Sequence, residues 1–242
     1  MSNQEIVFFD LPSRPPNKSW SGNTLRTRYA LNFKGIPYRT EWIEYPDIKP
    51  RFQDHLPKKD LYTVPTIILP DGTWVTDSKE IAKVLEEKHP EPSLHLDSPY
   101  LPKYVEHLIE VFKALGPVYM PGVYKNILNE PSLEYFRTTR EKWSGKTMEK
   151  LEESGGPGGE KAWSVAAPHL QKITALLKEN ADGPFFEGKT VGYVDLVHAA
   201  FLIFLRRIGE DYLEKALKAS GDADVHKKLL EVVKPWTERD DH

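Results

Sequence analysis

Tyr62-Thr63-Val64-Pro65-Thr66-Ile67-Ile68-Leu69-Pro70-Asp71-Gly72-Thr73-Trp74-Val75-Thr76-Asp77-Ser78 is the stretch that decides the fold. Thr66 to Leu69 is a short β-branched run, and Thr73 to Val75 is its return strand. Between them Pro70-Asp71-Gly72 forms a turn, with glycine free to take a positive φ. Pro65 stands at the mouth of the first strand, where a missing N–H is tolerated. A cis bond at that position would turn the N–H and C=O of Val64 outward, toward an extended peptide. Asp77-Ser78 closes the hairpin and opens a helix, Lys79 to His89, whose hydroxyl and free N–H groups suit an anion.

Working outward, Ile6 to Asp10 is a strand whose apolar run predicts burial on both faces. Leu11 to Lys18 holds three prolines and is a long loop. Ser19 to Thr24 carries a helix-start signature, and Leu25, Tyr29, Asn32 and Phe33 follow at helical spacing to a stop at Gly35. Tyr38 to Glu44 alternates as a second strand, and the stretch from Pro46 to Tyr62 is irregular with about one helical turn. The order is β-α-β-(α)-β-β-α. His89-Pro90-Glu91-Pro92 then breaks the chain. We therefore expect a first domain over 1–90, a linker over 91–98 and an all-helical domain over 99–242. Its helices are expected at 100–116, 118–130, 132–151, 160–180, 193–207, 209–219 and 224–234. Tyr193 to Ile208 is apolar nearly all round and too short to span a membrane, so it reads as a buried central helix. Ser154 to Gly159 lacks the Lys-Ser/Thr continuation of a phosphate loop and reads as a flexible linker.

The 242 residues are 39% hydrophobic and 11% aromatic, enough for a sizeable core. A net charge of −3 gives no footprint for nucleic acid or an anionic membrane. The N-terminus reads as lacking a signal peptide, and a cytoplasmic protein is the expectation. Cysteine is absent, which excludes disulfides, thiolate metal sites and a cysteine nucleophile. The histidines lack metal-ligand spacing, so no metal is expected; His169 and His198 stand alone, and His198 reads as a core residue.

Val-Pro, a hairpin and Asp-Ser before a helix, at this spacing, resemble the glutathione-binding half of the soluble glutathione transferases. The wider match includes Phe8-Phe9-Asp10-Leu11-Pro12-Ser13, the proline loop to Trp20-Ser21, Thr27-Arg28-Tyr29, Leu31 to Tyr38, and Glu41 to Ile48. It is most similar to the fungal etherase-related FuA serine class. The resemblance implies a thioredoxin-like α/β domain followed by an all-α domain. It also implies a dimeric cytosolic detoxification enzyme that takes glutathione and hydrophobic aromatic molecules, including plant and wood phenolics.

Carried over residue by residue, Ser21 is expected to donate its hydroxyl to the glutathione thiol, with Ser19 as the competitor. Asn23 is a second donor. Val64 and Pro65 are expected to meet the cysteinyl backbone, and Asp77 and Ser78 the γ-glutamyl end. His55, Gln53 and Lys58 are candidates for the glycyl carboxylate. Trp20, Tyr119 and Tyr124 are candidates for the aromatic pocket, which an interruption of the helix at Met120 to Tyr124 would shape. In the family's pattern a Ser/Thr cap stands three residues before the buried Asp195. Here Gly192 occupies that place, with Thr190 as a substitute. A carrier of aromatic molecules with little catalysis is the alternative function.

Overall fold

The computed structural model describes residues 5–240. β1 (Ile6–Asp10) lies inside a four-stranded sheet. It pairs in parallel with β2 (Tyr38–Trp42) and antiparallel with β3 (Thr66–Ile68), and β3 pairs antiparallel with β4 (Trp74–Thr76). All five residues of β1 are buried, as its unbroken apolar run requires. Successive side chains point to opposite faces. Phe8 meets Tyr38 and the guanidinium of Arg28 on α1 (Gly22–Phe33). Phe9 meets Phe52 of α2 (Tyr45–Phe52) and stacks on Trp74. α2 is two turns long where the sequence suggested one, because Phe52 and Ile48 are buried. α3 (Ser78–Lys88) completes the thioredoxin-like half.

The second half is all helical: α4 (Tyr100–Asn126), α5 (Glu130–Ser144), α6 (Met148–Ser154), α7 (Glu160–Lys178), α8 (Tyr193–Ile208), α9 (Glu210–Ala219), α10 (Ala223–Val232) and α11 (Lys234–Thr237). α8 is buried from Tyr193 to Leu205, as expected of a central helix. Two of the expected helix boundaries are corrected. First, α4 runs unbroken through Pro117 and Pro121, so neither 116/118 nor Met120–Tyr124 interrupts it. Packing overrides the local cost of proline here: a Cβ at Gly122 would sit 2.6 Å from Ile208 Cγ2, so α8 presses directly on this turn. Second, the helix expected over 132–151 is two. Gly145 ends α5 in the left-handed conformation, and Thr147 caps α6 by accepting from the Lys150 N–H.

The glycine-rich segment is a packed turn. A Cβ on Gly155 would meet Pro117 at 3.1 Å, and one on Gly159 would meet Val118 at 2.8 Å. At the start of α8 Thr190 does not substitute for the missing cap. The carboxylate of Asp195 itself accepts from the N–H groups of Gly192 (2.8 Å) and Phe186 (3.0 Å). One carboxylate thus satisfies a helix start and pins the preceding loop. Its burial pushes its pKa up to about 7.

Several contacts fix one half against the other. The buried Lys34 ammonium pairs with Glu86 and donates to the carbonyls of His89 and Pro92, tying α1 to the connector after α3. Tyr193 donates to the carbonyl of Ser78 (3.1 Å). The C-terminal tail returns to α1: Asn32 donates to the Trp236 carbonyl, and Asp240 pairs with Lys18 and Arg207.

Candidate active site

The start of α1 is held by a buried ion pair. Asp10, at the end of β1, accepts from Arg28 Nη2 (2.9 Å), from the hydroxyl of Ser19 (2.6 Å) and from the Leu11 N–H (2.7 Å). Arg28 and Asp10 are fully buried, and the guanidinium lies over the rings of Phe8, Tyr38 and Trp42. The proline loop is fastened at both ends. Arg14 donates to the carbonyls of Leu128 and Lys125, and the Trp20 indole donates to the carbonyl of Pro12. Two residues beyond Ser19 stands Ser21, the N-cap of α1.

The two serines differ in where their hydroxyl protons go. Ser19 is buried and its proton is committed to Asp10. Ser21 occupies a cap position, yet its hydroxyl caps nothing and has no hydrogen-bond partner among the described residues. It faces two adjoining cavities of about 300 and 330 Å³. The second is lined by Ser21, Asn23, Val64, Pro65, Asp77 and Ser78, so residues up to 57 positions apart in sequence meet in one place. The Val64–Pro65 bond is cis, and the N–H and C=O of Val64 make no hydrogen bond within the described residues. Thr66 holds this corner by donating to the carbonyl of Thr63 (2.9 Å). Asp77, at φ 80°, caps α3 with one carboxylate oxygen, which accepts from the N–H groups of Lys79 and Glu80. Its other oxygen remains available.

The first cavity is aromatic. Trp20, Phe112, Tyr119, Phe136 and Phe204 form its walls, with Met120 and Val123 between them. Six residues line both cavities: Ser21, Asn23, Arg26, Tyr45, Arg140 and Trp143. Burial pushes the Tyr45 phenol up to about 12 and raises that of Tyr119, so both keep their protons near neutrality. A larger open groove of about 820 Å³ lies among α8, α9, α10 and α11, away from these residues.

Two matches decide what this arrangement belongs to. Residues 20–88 match the N-terminal domain of glutathione S-transferases, and residues 103–236 match the C-terminal domain. The chain belongs to the glutathione S-transferase family. It is similar to the glutathione S-transferase-like protein ustS of Aspergillus flavus, 30% identical over 229 residues, which cover 84% of this chain and 80% of that protein. Among solved structures it resembles the glutathione transferase GSTFuA3 of Phanerochaete chrysosporium. The two are 30% identical with a TM-score of 0.82, over 96% of this chain and 97% of that one. It also resembles a glutathione S-transferase of Ceriporiopsis subvermispora solved in complex with glutathione. That pair is 32% identical with a TM-score of 0.80, over 96% and 97% of the two chains.

Not every expected residue of this transferase reaches the cavities. His55 stacks flat on Trp74 (4.4 Å between centroids), and neither it nor Gln53 nor Lys58 lines either cavity. Tyr124 points away, beneath the guanidinium of Arg137, because α4 does not break before it. Trp20 and Tyr119 do line the aromatic cavity. Arg26, Tyr45 and Arg140 are not among the expected site residues: the Glu41 to Ile48 match gives Tyr45 no role of its own, and an arginine on a helix reads as solvated surface. The histidines are also less isolated than their spacing suggested. His169 lies 3.4 Å from His107, and His198 bridges Tyr104 and His226. Among the described residues no group of three acids or histidines could hold a metal.

Proposed function

We propose that this protein is a serine-type glutathione transferase. Glutathione occupies the cavity between Asp77 and Ser21, and its thiolate is directed at hydrophobic aromatic electrophiles or aryl ethers in the aromatic cavity beside it. The observation that carries this reading is the Ser21 hydroxyl, unengaged at a helix start and shared by both cavities. A free thiol titrates near ~8.5, so only a few per cent is thiolate at neutral pH. An O–H donated to sulfur and the positive end of α1 both favour the anion, with Asn23 as a second donor. Each unit of depression is worth about 1.4 kcal/mol. The thiol proton leaves to solvent. The sulfur electron pair then forms the bond to carbon, and the leaving group (phenoxide, for an aryl ether) departs with its own pair.

At the other end Asp77 suits the γ-glutamyl ammonium, and Ser78 with the N–H groups of α3 suits its carboxylate. The unpaired N–H and C=O of Val64 suit the cysteinyl backbone. The same reading makes the protein a cytoplasmic homodimer acting on phenolic compounds in detoxification. Exposed Val105, Ile109 and Val165 on α4 and α7 offer an apolar contact for a second copy. No helix of the described residues is long and apolar enough to cross a membrane.

The test is conjugation by Ser21→Ala with a panel of aromatic electrophiles. Turnover should fall at least tenfold, a loss of one unit of thiol activation or more, while glutathione affinity changes little. An unchanged rate would remove Ser21 from the chemistry. The density of rings in the aromatic cavity also supports a carrier with little catalysis. Stabilisation by phenolics with none by millimolar glutathione would favour that reading, since a ligand at a hundred times its Kd adds about 2.7 kcal/mol.

A further inference from the structure

We propose that Arg140, with Tyr45, selects an aromatic co-substrate that carries a carboxylate. The inference rests on the reading of the aromatic cavity as the co-substrate site. It begins with the charges. The aromatic cavity is lined by two cations, Arg26 and Arg140, which also border the neighbouring cavity, and by no acid; Asp77 lines only that neighbour. Arg28, Arg51, Arg137 and Arg207 each pair with a carboxylate. Arg140 has none among the described residues. A guanidinium does not titrate away, so a cation beside apolar walls gains most from an anion brought in by the ligand.

The surroundings of Arg140 prepare it for that task. Its guanidinium carbon lies 4.2 Å from the ring of Phe136, 4.6 Å from Trp143 and 5.0 Å from Tyr45. Ring contacts restrain the plane and leave the N–H fork for in-plane partners. One N–H of Nη1 is given to Thr139 (2.8 Å) and one of Nη2 to the Tyr45 hydroxyl (3.4 Å). Three donors remain. The Tyr45 oxygen accepts from Arg140, so its own proton is left to give. A carboxylate at this point would receive a guanidinium and a phenol O–H, with the attached ring against Phe112, Tyr119 and Phe204. A neutral aromatic would leave those donors unpaired, which is a strong basis for discrimination.

The test is a matched pair of ligands that differ only in charge, 2-naphthoate and 2-naphthamide. They are titrated by quenching of tryptophan fluorescence with S-methylglutathione saturating, since Trp20 and Trp143 line the cavity. The wild-type protein should bind the carboxylate at least tenfold more tightly than the amide. Arg140→Gln should abolish that preference, and S-methylglutathione, whose cavity Arg140 also borders, should lose less affinity than 2-naphthoate does. Equal affinities in the wild type, or a preference that survives in Arg140→Gln, would overturn the proposal. A loss of S-methylglutathione affinity as large as that of 2-naphthoate would also overturn it, by assigning Arg140 to the glycyl carboxylate. These binding outcomes are independent of turnover, so the inference and the transferase reading fail separately.

Discussion

Acidification should withdraw the stability supplied by one buried chain of hydrogen bonds in the helical half; the raised pKa of Asp195 acts in the opposite sense, and equally in wild type and in His226→Gln. Tyr104, His198, His226 and Thr174, from α4, α8, α10 and α7, are linked at 3.1, 2.8 and 2.8 Å. The direction of every proton follows from the far end. The Thr174 hydroxyl lies 2.9 Å from the Ser220 carbonyl and 3.0 Å from that of Leu170, and both can only accept. Its single proton goes there, so it accepts from His226 Nε2. His226 Nδ1 is then an acceptor and receives the proton of His198 Nε2. His198 Nδ1 in turn accepts from Tyr104. Both rings are neutral in this arrangement. A proton added to either could be bonded only by reversing donors, and a full charge would be left between packed helices.

Burial lowers the His226 pKa from 6.5 to about 4 and holds His198 well below 6.5. The unfolded chain takes up protons below about 6.5, and the folded chain resists them. Stability from His226 is therefore complete above pH 6.5 and is lost as pH falls toward 4. The full loss is about 3 kcal/mol, of which about 2 kcal/mol is gone by pH 5; His198 adds a loss of the same sign. The assay is urea unfolding of wild type and His226→Gln at pH 7.5 and pH 5. Glutamine can donate to Thr174 and accept from His198 without titrating. The variant should lose about 2 kcal/mol less on acidification. Equal acid sensitivity in the two proteins would refute the assignment of neutral, buried histidines.

Two further outcomes test the site from opposite sides. Asp77→Asn keeps an oxygen for the Lys79 and Glu80 N–H groups but removes the charge. Glutathione affinity, read by calorimetry, should fall roughly ten- to a hundredfold, the worth of a charged hydrogen bond, while thermal stability stays near wild type; full affinity would detach Asp77 from the ligand. Asp10→Ala leaves Arg28 buried without its partner and frees Ser19. It should cost about 3–5 kcal/mol in chemical denaturation, and a loss under 1 kcal/mol would show that the pair does not hold the start of α1.

The parts of the fold legible in the sequence are those fixed by neighbours in the chain. The hairpin from Thr66 to Thr76 follows from β-branched residues around Asp71-Gly72, and the burial of β1 and α8 follows from runs with no polar face. Val64-Pro65 and Asp77-Ser78 could be placed because each marks the end of an element, where backbone groups lack partners by geometry. The continuity of α4 could not be read, since Pro117 and Pro121 argue locally for a break. What lies along that helix is α7, α6 and α8, packed on it from far along the chain.

The same distinction separates the two halves of the candidate site. Ser21 was legible as a helix start; that its hydroxyl stays unengaged while Asp10 claims the Ser19 proton was not. Arg140 has no local signature, and the Glu41 to Ile48 match gives Tyr45 no role. They meet because α5 sets the Arg140 guanidinium beside the start of α2, at the boundary of two cavities. The sequence by itself determined the thioredoxin-like frame and the central helix, and marked Ser21, Val64-Pro65 and Asp77-Ser78 as element ends. Only the tertiary structure decided which serine stays free, which cations stay unpaired and how distant histidines meet. Those properties depend on partners brought together from far along the chain, and periodicity and spacing carry no information about them.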